Sequence, residues 1–473
     1  MVAGKRSSGG IDERETMFQF CPIVIVAALL VIAATACTAA QGLPRPTPEQ
    51  AAWQDYEIGM FIHYDLPVFK PGWHHRDYDH FPRADIFNPA RLDTDQWMQA
   101  AAAMGARYAV LTATHGSGFM LWQSEAYAFG VKQSPWKGGK GDLVKEYVAS
   151  CHKAGVSPGL YCHMLCNGWW EADHPGLVNR GKGGDAKRQA EYAAAKLKQA
   201  QELWGNYGPL GEIWFDGGTP DPAAAGFDVV PLVRKLQPKA MVFQSPAATI
   251  RWIGNESGVA AYPCWATVAD FKTASRGEGD LGSGDPNGQA WLPGECDVPI
   301  RKGQWLWEPN GERLLNSVDE LMDCYYKSVG RNCNLLLNVN PDPDGLVPPA
   351  DMKRIKEFGD EVRRRFSRPL AQTAGEGETV ELALDTPGAV NHVIVMERIA
   401  EGERIRQYVV EGFTGGAWKE LCKGSSVGHK RIEQFPDVQV SKVRLRVARS
   451  TGRPLIRQLS VYNVTPRDNS AVK

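Results

Sequence analysis

A surplus of either charge is missing from this chain: 53 basic residues stand against 54 acidic ones over 473 positions, a formal net charge of -1. With no basic footprint, neither nucleic acid nor an anionic membrane surface is an expected partner. Long apolar runs are missing too. The longest, Pro22 to Ala36, falls short of the ~20 residues that a spanning helix needs. Cysteine forms no regular framework: two of the ten lie near the start, and Cys151, Cys162, Cys166, Cys264, Cys296, Cys324, Cys333 and Cys422 are scattered. Cys162-His163-x-x-Cys166 has no second Cys/His pair at zinc spacing, so buried free thiols are expected and no metal site. HExxH and the GxxxxGK[ST] phosphate loop are absent and no convincing GxSxG elbow comes with a Ser triad, which removes the common zinc-protease, serine-hydrolase and nucleotide signatures. No cofactor is expected, and no internal repeat is present.

What is there begins with Lys5, Arg6 and Arg14, followed by the Pro22–Ala36 apolar stretch and the small residues Cys37-Thr38-Ala39-Ala40. This reads as an export signal over 1–40. Ala34-Thr35-Ala36-Cys37 has the form of a bacterial lipobox in which Cys37 would carry lipid, and ordinary cleavage after Ala40 is the alternative. Either route predicts an extracytoplasmic protein: secreted, periplasmic or lipid-anchored.

After a Pro-rich linker (41–52) the chain alternates short apolar runs with amphipathic stretches, the signature of repeated βα units. Strands are predicted at Gly59–Tyr64, Tyr108–Thr114, Pro158–Met164, Glu212–Phe215, Met241–Gln244, Ala261–Trp265, around Cys296 to Ile300, and Asn334–Val339. Eight in series predict an α/β fold with a (β/α)8-like barrel over 53–365. Trp97, Ala101 and Met104, then Val144, Tyr147, Val148 and Cys151, then Leu314, Val318, Leu321, Tyr325 and Val329 recur at helical spacing and are expected core. Beyond the basic stretch Arg363–Arg368 only strand-like segments follow, at Val380–Leu384, His392–Met396, Gln407–Glu411, Val443–Val447 and Ile456–Tyr462. A C-terminal β-sandwich over 366–473 fits them.

Catalytic groups of a barrel sit where its strands end. Those ends here offer His63-Tyr64-Asp65, His115-Gly116-Ser117, His163, Trp214-Phe215-Asp216, Gln244-Ser245 and Trp265. Asp216 stands out because an apolar run delivers it onto the turn Gly217-Gly218, where a ligand can approach closely; a helix cap or turn Asp is the bland alternative. Fifteen Trp and 10% aromatics overall suit a pocket that stacks sugar rings, although Trp also fills cores. Glycoside hydrolysis needs two carboxyl groups, one as nucleophile or base and one as acid. Glu256, in Arg251-Trp252-Ile253-Gly254-Asn255-Glu256, is the preferred partner for Asp216. Glu295 competes but lies near the start of a strand. His74, His75, Asp77, Asp79 and His80 form either a metal-binding group or, as expected, a polar loop at the pocket rim.

Several ordered segments resemble the glycoside hydrolase family 29 α-L-fucosidases, especially the branch that includes the plant enzymes. They are Met60-Phe61-Ile62-His63, Phe87-Asn88-Pro89, Leu111 to His115, Ser134-Pro135-Trp136 with Gly139 to Asp142, Glu212 to Gly217, Arg251 to Glu256, Glu295-Cys296-Asp297, and Tyr326 to Cys333 with Leu335 to Val339. The resemblance implies a (β/α)8-like barrel followed by a β-sandwich. It also implies a retaining, exo-acting release of terminal α-L-fucose from a glycan or oligosaccharide, with Asp216 as nucleophile, Glu256 as acid/base, and His63, His115 and Trp214 lining the sugar pocket. Tyr64 and Trp265 are added to that pocket by their positions at strand ends. Two departures stand out. The family's His-His-Asp-Gly-Phe reads His115-Gly116-Ser117-Gly118-Phe119, and Gly72 replaces a Glu before Trp73. A pocket altered there would take a related sugar, such as an α-L-galactoside, or be refilled by His74, His75 or His80. A non-catalytic carbohydrate-binding protein on the same scaffold is the rival from another class.

Overall fold

Short segments rich in β-branched and aromatic residues form eight parallel strands: β1 (Ile58–Ile62), β2 (Tyr108–Thr114), β3 (Ser157–Cys162), β4 (Glu212–Trp214), β5 (Met241–Phe243), β6 (Arg251–Trp252), β7 (Gly294–Pro299) and β8 (Cys333–Asn338). The computed structural model describes residues 42–178 and 184–465, so the expected export signal lies outside the described residues. The strands pair in the order β5-β4-β3-β2-β1-β8-β7-β6. A single parallel bridge between Phe243 and Ile250 joins the two ends of that row, bringing the sheet almost to a closed barrel.

Successive side chains of a strand point to opposite faces, and here the two faces bury different neighbours. Met60 and Ile62, Ala109 and Leu111, Leu160 and Cys162, and Ile213 and Phe215 join the large core under the helices. Phe61, Tyr108, Val110, Tyr161, Trp214 and Phe243 fill the barrel interior. That alternation, continued past each strand's last residue, aims the groups at the open end.

Helix α1 (Pro48–Gln54) precedes the barrel, and α2 (Thr94–Met104), α3 (Leu143–Ala154), α4 (Ala186–Gly205), α5 (Val230–Leu236), α6 (Val318–Lys327) and α7 (Pro349–Phe366) follow strands of it. Asp93, Asp142 and Asp185 accept backbone N–H bonds at the starts of α2, α3 and α4, each cap worth about 1 kcal/mol. The predicted stripes of α2 and α3 are buried. The third stripe begins later than expected. Ser317 and Glu320 form a reciprocal capping box, so α6 starts at Val318 and leaves Leu314 in a preceding single turn.

The sixth strand is not Ala261–Trp265 but Arg251–Trp252. A charged residue at its head hid it from an apolar pattern. Arg251 is fully buried, and its guanidinium donates to the carbonyls of Leu281, Leu292 and Trp265. One side chain thus ties down three otherwise irregular segments. Ala261–Trp265 instead lies against the C-terminal part: Cys264 N–H donates to Ser426 Oγ, and the Trp265 ring carries the Arg406 guanidinium 4.6 Å from its centre.

After α7, six strands form one antiparallel sheet: β9 (Ala371–Glu376), β10 (Thr379–Glu397), β11 (Ile405–Thr414), β12 (Ala417–Gly424), β13 (Arg431–Ser450) and β14 (Leu455–Tyr462), in the order β9-β14-β10-β13-β11-β12. The predicted Val380–Leu384 and His392–Met396 are two halves of one strand, β10, whose register against β13 shifts between Ala383 and Gly388 and again between Val390 and His392. Such bulges bend a strand. Val380 and Leu382 before the shifts and Val393 and Val395 after them pack into one core, as a sheet doubled over into a sandwich requires.

Candidate active site

Strand alternation builds the site two residues at a time. On β1, Phe61 is interior and His63 follows it on the same face. On β3 the pair is Tyr161 and His163, and on β4 it is Trp214 and Asp216. The ring of Tyr161 stacks on Trp214 (5.5 Å, 20°), Trp214 stacks on Phe243 (3.9 Å, 9°), and Phe61 leans on Trp214 at 5.0 Å. This aromatic floor carries the polar groups above it.

Asp216 is half exposed, and the Tyr161 hydroxyl donates to its Oδ2 at 3.0 Å. His163 Nε2 lies 3.9 Å from the same oxygen. Burial, with His115 and Lys196 near, pushes the His163 imidazole well below its usual range. Its Nδ1 accepts from the N–H groups of Leu165 and Cys166, which leaves the proton on Nε2, toward Asp216. Cys162, one residue earlier, faces the opposite core, so Cys162 and His163 do not converge on one point.

His63 is buried and held from two sides by β8 and its continuation: its Nδ1 meets Asn338 Oδ1 at 2.8 Å, and its N–H donates to Asn340 Oδ1. Burial and the nearby His115 keep its imidazole neutral, well below the usual value. The His115 ring packs edge-on to His63 at 5.3 Å, and its Nδ1 lies 3.5 Å from Asp65 Oδ2. Asp65 in turn accepts from the hydroxyl and the N–H of Ser117. The carboxylate beside Ser117 thus comes from Asp65, just after β1.

Glu256 projects from the loop after β6 and is exposed. Trp305 Nε1 donates to its Oε2 at 2.8 Å. The Trp305 ring packs on His63 at 5.3 Å, and its carbonyl accepts from the side-chain amides of Asn338 and Asn340. Asp216 and Glu256 are thus linked through Tyr161, His63 and Trp305, which touch in series (His63 to Tyr161, 6.0 Å).

Glu295 is not in this wall. It is the second residue of β7, fully buried at the opposite end of the barrel interior, where Tyr108 Oη and Trp214 Nε1 donate to its two oxygens (2.6 and 3.0 Å). Trp53 Nε1, from α1, donates to the adjacent Glu212. Burial raises both carboxyl groups, Glu295 to about 7, and Glu212 further because the charge of Glu295 adds to its burial. The two carboxyl groups therefore share a proton, and no other group among the described residues bonds Glu212 Oε1. Arg301 bonds neither glutamate: it pairs with Asp351 at 2.9 Å.

Two expected pocket residues lie elsewhere. Tyr64, one step past His63, points to the other face of β1 and packs among Phe69, Phe87 and Trp97 with no exposure. Trp265 is buried at the contact with the C-terminal sheet. Trp214 is present as floor, its ring edge tied to Glu295. Conversely, Tyr161, Trp305, Asn338 and Asn340 escaped the sequence reading. Tyr161 was accessible to it as the residue two before His163; Trp305 was not, since it arrives from a loop far along the chain. Of the loop histidines, His80 turns to Asp77 at the exposed rim, whereas His75 lies in the pocket wall beside Gly116.

Residues 38–364 match the Alpha-L-fucosidase family model. The chain is 33% identical to Alpha-L-fucosidase 1 of Arabidopsis thaliana, covering 89% of this chain and 88% of that one, and 33% identical to putative alpha-L-fucosidase 1 of Oryza sativa subsp. japonica, covering 89% and 85%. Among solved structures, a putative alpha-L-fucosidase from Bacteroides thetaiotaomicron superposes with a TM-score of 0.84 at 42% identity, over 89% of this chain and all of that one. With its barrel, its C-terminal sheet and its strand-end carboxylate in place, the chain is a glycoside hydrolase and belongs to the alpha-L-fucosidase family.

Proposed function

We propose that the protein is an exported exo-glycosidase that releases terminal α-L-fucose from a glycan with retention of configuration. The observation that carries this reading is Asp216, delivered by β4 to the open end of the barrel and bonded through Oδ2 to Tyr161, so that Oδ1 is the oxygen left for an anomeric carbon. Asp216 attacks that carbon as the bond to the leaving oxygen breaks, and Glu256 gives the leaving oxygen its proton. A water then attacks the glycosyl-enzyme, giving its proton to Glu256 as the bond to Asp216 breaks. The neutral imidazoles of His63 and His163 suit an uncharged sugar: with both Nδ1 atoms engaged, Nε2 of His63 is left as an acceptor and Nε2 of His163 as a donor. Export rests on the basic and apolar segments before Cys37.

Relatives named α-L-fucosidases over nearly their full length support fucose as the sugar. The space beside Gly116, where an α-L-galactoside would need room for its additional hydroxyl, is filled by His75. A mechanism-based fluorinated fucoside tests the proposal: covalent labelling on Asp216 is the expected result. Absence of any label, with sugar binding retained, would instead identify a carbohydrate-binding protein.

A further inference from the structure

A cavity of about 430 Å³ opens between the loop after β1 and the loop after β7, with Asp65, Trp73, His74, His75, His115 and Trp305 in its wall. That volume is in the range of small-ligand sites. Two of its residues, His115 and Trp305, already belong to the site built around Asp216 and Glu256, so the cavity is continuous with it.

Two glycines from different barrel loops make the seat of His75. A Cβ on Gly116 would stand 2.7 Å from His75 Nδ1 and 2.9 Å from its Cγ. A Cβ on Gly168 would stand 2.6 Å from the His75 carbonyl oxygen. The two glycines are themselves joined, Gly168 N–H donating to the Gly116 carbonyl at 2.8 Å. Any larger residue at either position would push the imidazole or its backbone out of the wall.

The seated ring is short of a partner. His75 Nε2 is buried with no hydrogen bond among the described residues, which leaves part of the ring's bonding capacity unused. Burial, with His115 and His74 close by, pushes the imidazole down to about 3, so the ring is neutral at working pH and keeps one donor and one acceptor. A neutral imidazole in the wall of this cavity, seated against Gly116 and Gly168, offers a bond to a ligand hydroxyl.

We infer that His75 binds a ring hydroxyl of the terminal sugar and sets which sugar the site accepts, with Gly116 and Gly168 as the gaps that admit it. The inference rests on the fucosidase reading only for the choice of sugar. A site that bonds a hydroxyl rejects the analogue lacking it far more strongly than an apolar contact would.

The test is a cycle between enzyme and substrate. Aryl α-L-fucosides lacking each ring hydroxyl in turn are turned over by the wild type, His75→Ala, His75→Gln and Gly116→Ala. On the parent fucoside His75→Ala and Gly116→Ala should each lower kcat/KM by at least about tenfold, with an unchanged apparent Tm and partial recovery in His75→Gln. One deoxy substrate should be poor for the wild type, and its disadvantage should vanish in His75→Ala. Equal penalties for every deoxy substrate in both proteins, or a fall in Tm without any change in these ratios, would overturn the inference. The wild-type rate on the parent fucoside tests the fucosidase reading separately. Should that rate be nil, the same ratios are measured on whichever sugar of an L-galactoside and β-D-galactoside panel is cleaved.

Discussion

The Tyr161 hydroxyl donates to Asp216 Oδ2 across 3.0 Å while its ring lies stacked on Trp214, the residue two before that aspartate on the neighbouring strand. A single side chain therefore fixes both the height of the aromatic floor and the rotamer of the carboxylate above it. The Trp214 edge is anchored below by Glu295, so the arrangement runs from the buried end of the barrel to its mouth.

Removing the proposed nucleophile should be decisive. Asp216→Ala is expected to lower turnover of an aryl α-L-fucoside by at least about 10³-fold, with its fold intact by circular dichroism. Activity within tenfold of wild type would take Asp216 out of that role.

Glu256→Ala should lose acid assistance while keeping the nucleophile. Activated aryl fucosides, which need little protonation, are then the least affected substrates, and added azide should restore rate by forming a fucosyl azide. A variant that azide leaves unchanged would move the acid/base role to another carboxyl group.

Tyr161→Phe keeps the stack on Trp214 and deletes only the hydroxyl. One lost bond to a charged group, worth about 1.5–3 kcal/mol, predicts a kcat lowered by roughly 10- to 100-fold with little change in thermal stability. A large loss of Tm with normal kcat would show the hydroxyl to be structural.

The buried pair Glu212 and Glu295 predicts a pH signature. Burial raises both folded-state pKa values, that of Glu295 from 4.5 to about 7. The folded protein therefore binds more protons than the unfolded chain between those values, and stability from this pair, full below about 4.5, is lost as pH rises toward 7. Urea midpoints measured from pH 4.5 to 8 should fall for the wild type, and the fall should be shallower in Glu295→Gln. Identical slopes would refute the shared-proton account.

Arg251→Met should be among the most destabilising single changes in the barrel. It removes the donors for three buried carbonyls, each costing about 1–3 kcal/mol when left unpaired. Differential scanning calorimetry should show a Tm lower by several degrees. An unchanged Tm would mean that the loops carrying Leu281, Leu292 and Trp265 hold themselves.

Seven of the eight barrel strands, the α2 and α3 stripes and four of the six C-terminal strands, β9 and β12 being missed, could be read from the chain because each depends on neighbours within about ten residues: apolar periodicity, caps, turns. His63, His163 and Asp216 were legible for the same reason, as the next residue of the inward set at the end of a strand. The rule applied more strictly would have excluded Tyr64, since one step along a strand reverses the side chain. Arg251–Trp252 was not legible. A strand that begins with a buried guanidinium makes sense only once three distant carbonyls surround it.

Local pattern alone thus settled seven barrel strands and the strand-end placement of Asp216, while ordered motifs along the chain carried the resemblance to the family. Contacts between distant segments settled the rest: that Glu295 belongs to the buried end, that Trp265 faces the C-terminal sheet, that Asp65 stands over Ser117, and that His75 fills the space beside Gly116. The physical reason is range. Periodicity and capping are written in the few residues that a helix turn or strand pleat brings together, whereas a pocket wall is made where loops far apart in the chain pack, and packing is a property of shapes that no single segment carries.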